Sequence, residues 1–311
     1  MQISGGVTLS GGVNLAPGSG GSGGSGGFQG SNYGYTSGGL TLSPTTWRNE
    51  IDKFSFTSDG NATDVGDLTL ARYTMAGQSS SVSGYTSGGS VPGARTDTID
   101  KFPFSSDTNA TDVGDLLLVN SECTSGQSSS TNGYVCGGTT PGVVDTIQKF
   151  PFSSDTNATD VGDMTRVARA SAGQSSSISG YNSGGFPSNN TIDKFSFASD
   201  GNATDVGDLT ANKGRLAGQS STISGYNSGG EPNINVIEKF PFSSDANSSD
   251  VGDLTVGRHT MAGQSSTGSG YTSGGEPNLN IIDKFPFASD GNATDVGDLT
   301  IARSGAAGQQ Y

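Results

Sequence analysis

A seven-residue segment of the form Ser-Asp-x-Asn-x-(Thr/Ser)-Asp recurs six times along the 311 residues, first as SDGNATD from Ser58 to Asp64. Oxygen-bearing side chains at near-alternating positions, here Asp59, Asn61 and Asp64, are the donors that a hard cation such as calcium selects. The segment departs from a helix–loop–helix calcium loop, because it has no glycine at the sixth position and no glutamate at the twelfth. The other reading is an Asx-type turn, in which the same oxygens cap backbone amides. The turn is the expected reading, so no cofactor is expected, and calcium at Asp59, Asn61 and Asp64 is the alternative.

Two further polar residues return in every unit. A lysine stands in each IDKF-like segment, at Lys53, Lys101, Lys149, Lys194, Lys239 and Lys284. These six could form a ring-shaped site, or each could pair with a nearby acid such as Asp67. A glutamine stands in each AGQ-like segment, at Gln78, Gln127, Gln174, Gln219, Gln264 and Gln309. Catalysis finds little support, because it needs an asymmetric set of nucleophile, base and orienting group. Here the polar residues are repeated, and His259 is the single histidine of the chain. A non-enzymatic protein is expected.

The elements that position these residues follow from the repeat. Four short segments recur in fixed order: (A/S)GQSS, GYTSGG, IDKF(S/P)F and DVGDL. The tyrosines of GYTSGG fall at 35, 85, 134, 181, 226 and 271. Periods of this length built from four short strands point to a β-propeller. No segment shows the 3.6-residue apolar period of a helix. In IDKFSF, Asp52, Phe54 and Phe56 share one face while Ile51, Lys53 and Ser55 share the other. The phenylalanines are therefore expected between neighbouring sheets.

Each segment occurs six times, yet the series begins with GYTSGG and ends with AGQ at Ala307 to Gln309. That offset lets the C-terminal strand complete the N-terminal blade and remove a free sheet edge. The expected fold is all-β, a six-bladed propeller of four-stranded blades over residues 33–311. The AGQ strand would be innermost, with its six glutamines lining the channel. Residues 1–32 read as a separate glycine-rich arm: MQISGGVTLSGGV alternates apolar and small residues, and PGSGGSGGSGG is a tether composition.

The pattern resembles a kelch-type propeller. The carrying residues are the glycine pairs Gly88-Gly89 and Gly184-Gly185, the aromatics Phe102 and Phe195, and the Asp67-Leu68…Arg72 and Asp298-Leu299…Arg303 sets. The usual tryptophan after the aromatic is missing, since NATDV stands there, and Trp47 is expected in a loop. The wording IDKFPFxSDxNATDVGDLTxxR…AGQSS…GYTSGG is similar to repeats in structural proteins of marine bacteriophages. That resemblance implies a virion component, such as a fibre, capsid decoration or adhesin. Its partners would be other virion proteins, through the arm, and host-surface glycans or proteins. A soluble, multivalent lectin-like module is the alternative, with six equivalent weak sites.

Bulk properties narrow the partners. Hydrophobic residues make up 30% of the chain and glycine occurs 51 times, so a single bulky core is not expected. The net charge of −14 and the lack of a Lys/Arg cluster argue against nucleic acid. The start lacks a basic segment followed by an apolar run, and no stretch reaches membrane-spanning length. Location in a virion, after synthesis in a host cytoplasm, is the corresponding expectation. Asn-x-Ser/Thr triplets in every unit read as turn chemistry. Cys123 and Cys136 flank a hairpin and are left open between a disulfide and two thiols.

Loop lengths locate the working face. From the glycine pair to the next IDKF-like segment the length changes between units, and one extra residue sits in LLLVNSECTSGQ. In an up-and-down blade these two connections share one face. The opposite face carries the near-constant SDxNATD and QSSSxSG turns. Variable loops on a rigid scaffold carry recognition. The expected partner contacts are Trp47, Arg48, Arg95, Pro141 and Phe186, with Trp47 and Arg48 foremost because such anchors dominate interfaces.

Overall fold

The computed structural model describes residues 29–122, 125–187 and 189–311. They form six antiparallel sheets, and no helix occurs among the described residues. Each blade has four main strands, counted here from the axis outward. In blade 4, for example, they are Ala172–Ser175, Ser179–Ser183, Thr191–Ser196 and Thr204–Asp208. Blade 1 is assembled from both ends of the chain: Ala307–Gln310 pairs with Tyr33–Leu42, placing Gln309 opposite Tyr35. The expected closure of the ring is present.

The innermost strands approach closely because their central residue is glycine. A Cβ built on Gly77 would collide with the carbonyl of Gly308, one on Gly126 with that of Gly77, and so on round to Gly308 against Gly263. Six glycines thus form a tight collar about the axis, and two cavities of about 50 Å³ flank it.

Between blades lies a sandwich of aromatic rings. Tyr35 packs on Phe102 and Phe104 of the next blade, with ring centroids 5.4 and 5.0 Å apart. The same trio recurs at every seam, for instance Tyr181 with Phe240 and Phe242. The apolar residues are therefore divided among six separate clusters. This is how a chain with few hydrophobic residues buries enough of them.

Trp47 departs from its expected place. It lies within the third strand of blade 1, Thr45–Ser55, opposite Leu40. LTL and TTW extend the hairpin and Ser43-Pro44 is its tip, so the supposed loop is mostly strand. A shorter extension in blade 2 pairs Ser90–Val91 with Ala94 and Arg95.

The two ends of the ring differ. One end, the turn face, carries the SDxNATD and QSSSxSG turns. The described N-terminal residues enter there: Gly30 bonds Ser265 and Thr267, and Asn32 bonds the C-terminal Tyr311. The tips of three turns on this face expose Val82, Ile178 and Ile223. Residues 1–28, most of the expected arm, lie outside the described residues.

Candidate functional site

At the opposite end, each chain segment entering an innermost strand passes through one residue in the left-handed region. These are Thr74, Glu122, Ala170, Arg215, Thr260 and Gly305, with φ between 51° and 65°. Five of the six are not glycine, and each carries a conformational cost that the surrounding structure must hold. What holds them is a hoop of hydrogen bonds from blade to blade. The amide of Thr74 donates to Gly305 O at 2.6 Å, Gly305 to Thr260 O at 2.8 Å and Thr260 to Arg215 O at 2.8 Å. Arg215 donates to Ala170 O at 2.6 Å and Ala170 to Glu122 O at 2.8 Å. The Glu122 amide closes the hoop on Thr74 Oγ1 at 3.4 Å. This single side-chain link falls in the blade that carries the extra residue.

Because five residue types fill the six hoop positions, with threonine alone occurring twice, the six-fold repeat ends here. The hoop surrounds an axial cavity of about 190 Å³, floored by Leu40, Leu216, Met261 and Ala306 and walled in part by Tyr73 and Glu276. A wider groove of about 520 Å³ opens beside it, lined by Trp47, Ser90, Val91 and Arg95. Tyr73 and Glu122 border both spaces, so cavity and groove adjoin. Trp47 and Tyr73 meet edge to face at 6.4 Å.

The charges around the hoop are arranged unevenly. Glu122 is ion-paired with Arg169 and accepts a hydrogen bond from Thr139. Arg215 pairs with Glu231 at 3.1 Å and lies 5.8 Å from the centre of the Phe186 ring. Glu276 faces His259 Nε2 at 3.6 Å and accepts from Ser304 Oγ at 3.4 Å. The other imidazole nitrogen of His259 is 2.7 Å from Thr260 Oγ1. Burial holds the His259 pKa below its usual value; Arg215 pushes the same way, and Glu276 opposes both. The imidazole is thus neutral near pH 7.

The sequence-expected residues distribute as follows. Trp47 and Arg95 line the groove, and Phe186 packs on the hoop through Arg215 and against Gly214. Arg48 is half-buried and held by Glu50 at 3.1 Å, away from the groove lining. Pro141 is exposed in its loop.

The six glutamines do ring the axis, but their amides point into the seams rather than at one another. Each Nε2 donates to the backbone carbonyl of the tyrosine in the next blade, as Gln78 does to Tyr134 at 3.1 Å and Gln309 to Tyr85 at 3.0 Å. Each Oε1 accepts from the second strand of its own blade, from Ser87 in one case and Cys136 in another. The glycine collar lines the axis in their place, because glutamine and glycine alternate along the strand and so face opposite sides of the sheet.

The six lysines also bridge seams. Their partner is the aspartate of the next blade's SDxNATD turn, not Asp67: Lys53 pairs with Asp107 at 2.9 Å and Lys284 with Asp59 at 2.9 Å. The three calcium candidates are each turned to a different partner. Asp59 binds Lys284, Asn61 accepts from the Asp298 amide at 3.1 Å, and Asp64 accepts from the Gly66 amide at 3.2 Å. Among the described residues, no three acidic, histidine or cysteine side chains converge as a metal site. Cys136 is a buried free thiol whose cross-strand neighbour is Ser125. Cys123 lies outside the described residues.

The hoop was missed in the sequence reading. Its column, just before AGQ, is where the repeat wording breaks down, and that breakdown was the available signal. No protein-family model matches the chain, and comparison with curated proteins finds no match.

Proposed function

We propose that the protein is a non-enzymatic display module, a six-bladed propeller held by its turn face and presenting its hoop face to a partner. One observation carries this reading: the near-constant turns and both described chain ends lie at one end of the ring, and the unlike residues lie at the other. A scaffold that repeats everything except one end keeps that end for recognition. The exposed Val82, Ile178 and Ile223 beside the entering chain suit the attachment side.

The finer reading is a phage virion component, a fibre, capsid decoration or adhesin, attached through the N-terminal arm and other virion proteins. It rests on the resemblance of the repeat wording to phage structural proteins. Mass spectrometry and electron microscopy of purified particles test it, and absence of the chain from particles overturns it. A lectin-like module is the second reading, favoured by the Trp47–Tyr73 aromatic pair at the groove. A glycan array separates the two, since a structural decoration binds none of the glycans.

A further inference from the structure

We propose that the axial cavity is a single binding site for a small organic cation, an ammonium or guanidinium group on a short aliphatic stem. The inference rests on the hoop face being the recognition face.

The cavity is built rather than left over, because five non-glycine residues are held in the left-handed region to form its rim. Its lining matches the two parts of such a ligand. Leu40, Leu216, Met261 and Ala306 offer an apolar floor for a methylene stem. On the walls, Glu122 and Glu276 outnumber Arg215. Arg215 and Glu122 each have an ion partner, Glu231 and Arg169. Glu276 has no guanidinium or ammonium partner among the described residues: its neighbours are the His259 imidazole at 3.6 Å, whose pKa burial lowers, and the Ser304 hydroxyl. A ligand ammonium would supply the missing positive charge in a partly enclosed place, where such a contact is strong.

The field of the whole chain acts in the same direction, since a net charge of −14 concentrates cations at the surface and repels anions. The volume of about 190 Å³ is below the usual range of drug-sized pockets. It suits one alkyl ammonium and excludes an oligosaccharide. Since the hoop residues differ blade by blade, there is one site per ring.

The same chemistry comes from two sources, a free diamine or a lysine side chain on a partner protein whose flanking chain would follow the groove toward Trp47. Titration calorimetry of the full chain at neutral pH and low salt uses cadaverine for the first and N-acetyl-Gly-Lys-Gly-amide for the second. We expect saturable binding at one site per chain. Tighter binding of the peptide assigns the partner protein, and tighter binding of cadaverine the free amine. Glu276→Gln should weaken either ligand about tenfold, the loss of one charge-assisted contact. Ala306→Leu, which fills the floor without touching a charge, should abolish binding in a protein that still melts cooperatively. Glutarate, an anion of similar length, should not bind. No heat with either amine, a stoichiometry of six, or binding indifferent to Glu276→Gln overturns the proposal. A chain that ignores both amines yet binds its target through Trp47 and Arg95 loses only the ligand class. Unchanged target binding by Trp47→Ala with Arg95→Ala removes the recognition-face reading itself.

Discussion

Two seams of the ring, alike in wording, are unlike in charge. Between blades 1 and 2, Asp100 is fully buried and held by Arg72 at 3.1 Å and by Thr69 through its amide and hydroxyl. The Arg72 guanidinium also donates to the carbonyls of Thr86 and Thr98. Between blades 3 and 4 the corresponding Asp193 keeps its threonine, Thr165, but Ala168 stands where the arginine would be. Asp193 makes no ion pair among the described residues, and burial raises its pKa despite the Thr165 bonds and the nearby Arg166. A buried carboxylate is tolerable with a bonded cation and costly without one. The remaining seams bear this out. Arg258–Asp283 and Arg303–Asp52 repeat the pair. Lys213–Glu238 exchanges both members at once, a different cation head met by a longer acid at 2.6 Å. Where Asn120 replaces the arginine, neutral Gln148 replaces the aspartate, so that seam holds neither charge. Only the seam at Asp193 lost one partner and kept the other.

The largest effect should come from removing one seam-forming strand. Deleting Ala307 to Tyr311 opens blade 1 and takes with it the Gln309 clamp. The melting midpoint should fall by roughly 10 °C or more, and scanning calorimetry of the shortened chain checks it; an unchanged midpoint would contradict closure by this strand.

Next, Asp100→Asn leaves the Arg72 guanidinium buried without its counter-charge and should destabilise by about 3 kcal/mol in denaturant titration. The exchanged pair gives a smaller, reversible effect. Lys213→Arg alone should cost about 1–2 kcal/mol, and adding Glu238→Asp should recover most of it. Failure of the double variant to recover would mean that the pair is not the unit of exchange.

Asp193→Asn sharpens the comparison most directly. It keeps an acceptor for Thr165 and removes an uncompensated charge, so stability at pH 7 should stay unchanged or rise by about 1 kcal/mol. The sign with pH follows from the raised pKa of Asp193. Its favourable contribution is complete below the ordinary carboxylate value near 4 and is lost as pH rises through the folded value. The gain of the variant over the parent should therefore shrink on acidification; a gain that grows would refute the assignment.

The smallest effect is at His259, whose pKa is lowered by burial. Its contribution is present above the ordinary value of about 6.5 and is lost as pH falls through the folded value. His259→Gln should flatten that loss by no more than about 0.5 kcal/mol, read from midpoints at a series of pH values.

Much of the ring was legible because repetition makes each inference six times over. The strand order, the aromatic seams and the closing strand follow from spacing and alternation. The individual side-chain partners were not legible. Lys53 was assigned an acid within its own blade, yet Asp107 lies in the next one. The glutamines were assigned to the channel, yet they clamp the seams. Trp47 was assigned to the variable loop between the glycine pair and the IDKF segment, yet the LTL and TTW arms of that loop pair directly as strands. The hoop was hidden because residues of five different types, from Thr74 through Glu122 to Gly305, share a backbone conformation.

The sequence by itself determined the blade count, the four strands of each blade, the offset at closure and the face on which variation falls. Periodicity and length are properties of the chain, so these needed no coordinates. Only the tertiary structure decided which groups meet across the seams, from Lys213 and Glu238, 25 residues apart, to Thr300 and Asp52, 248 apart, because hydrogen bonds and ion pairs depend on how neighbouring sheets rotate against each other. It also decided that six hoop residues of five types surround one cavity. The tight glycine collar draws the six chain entries to the axis, and the backbone hoop fixes them there whatever side chains they carry.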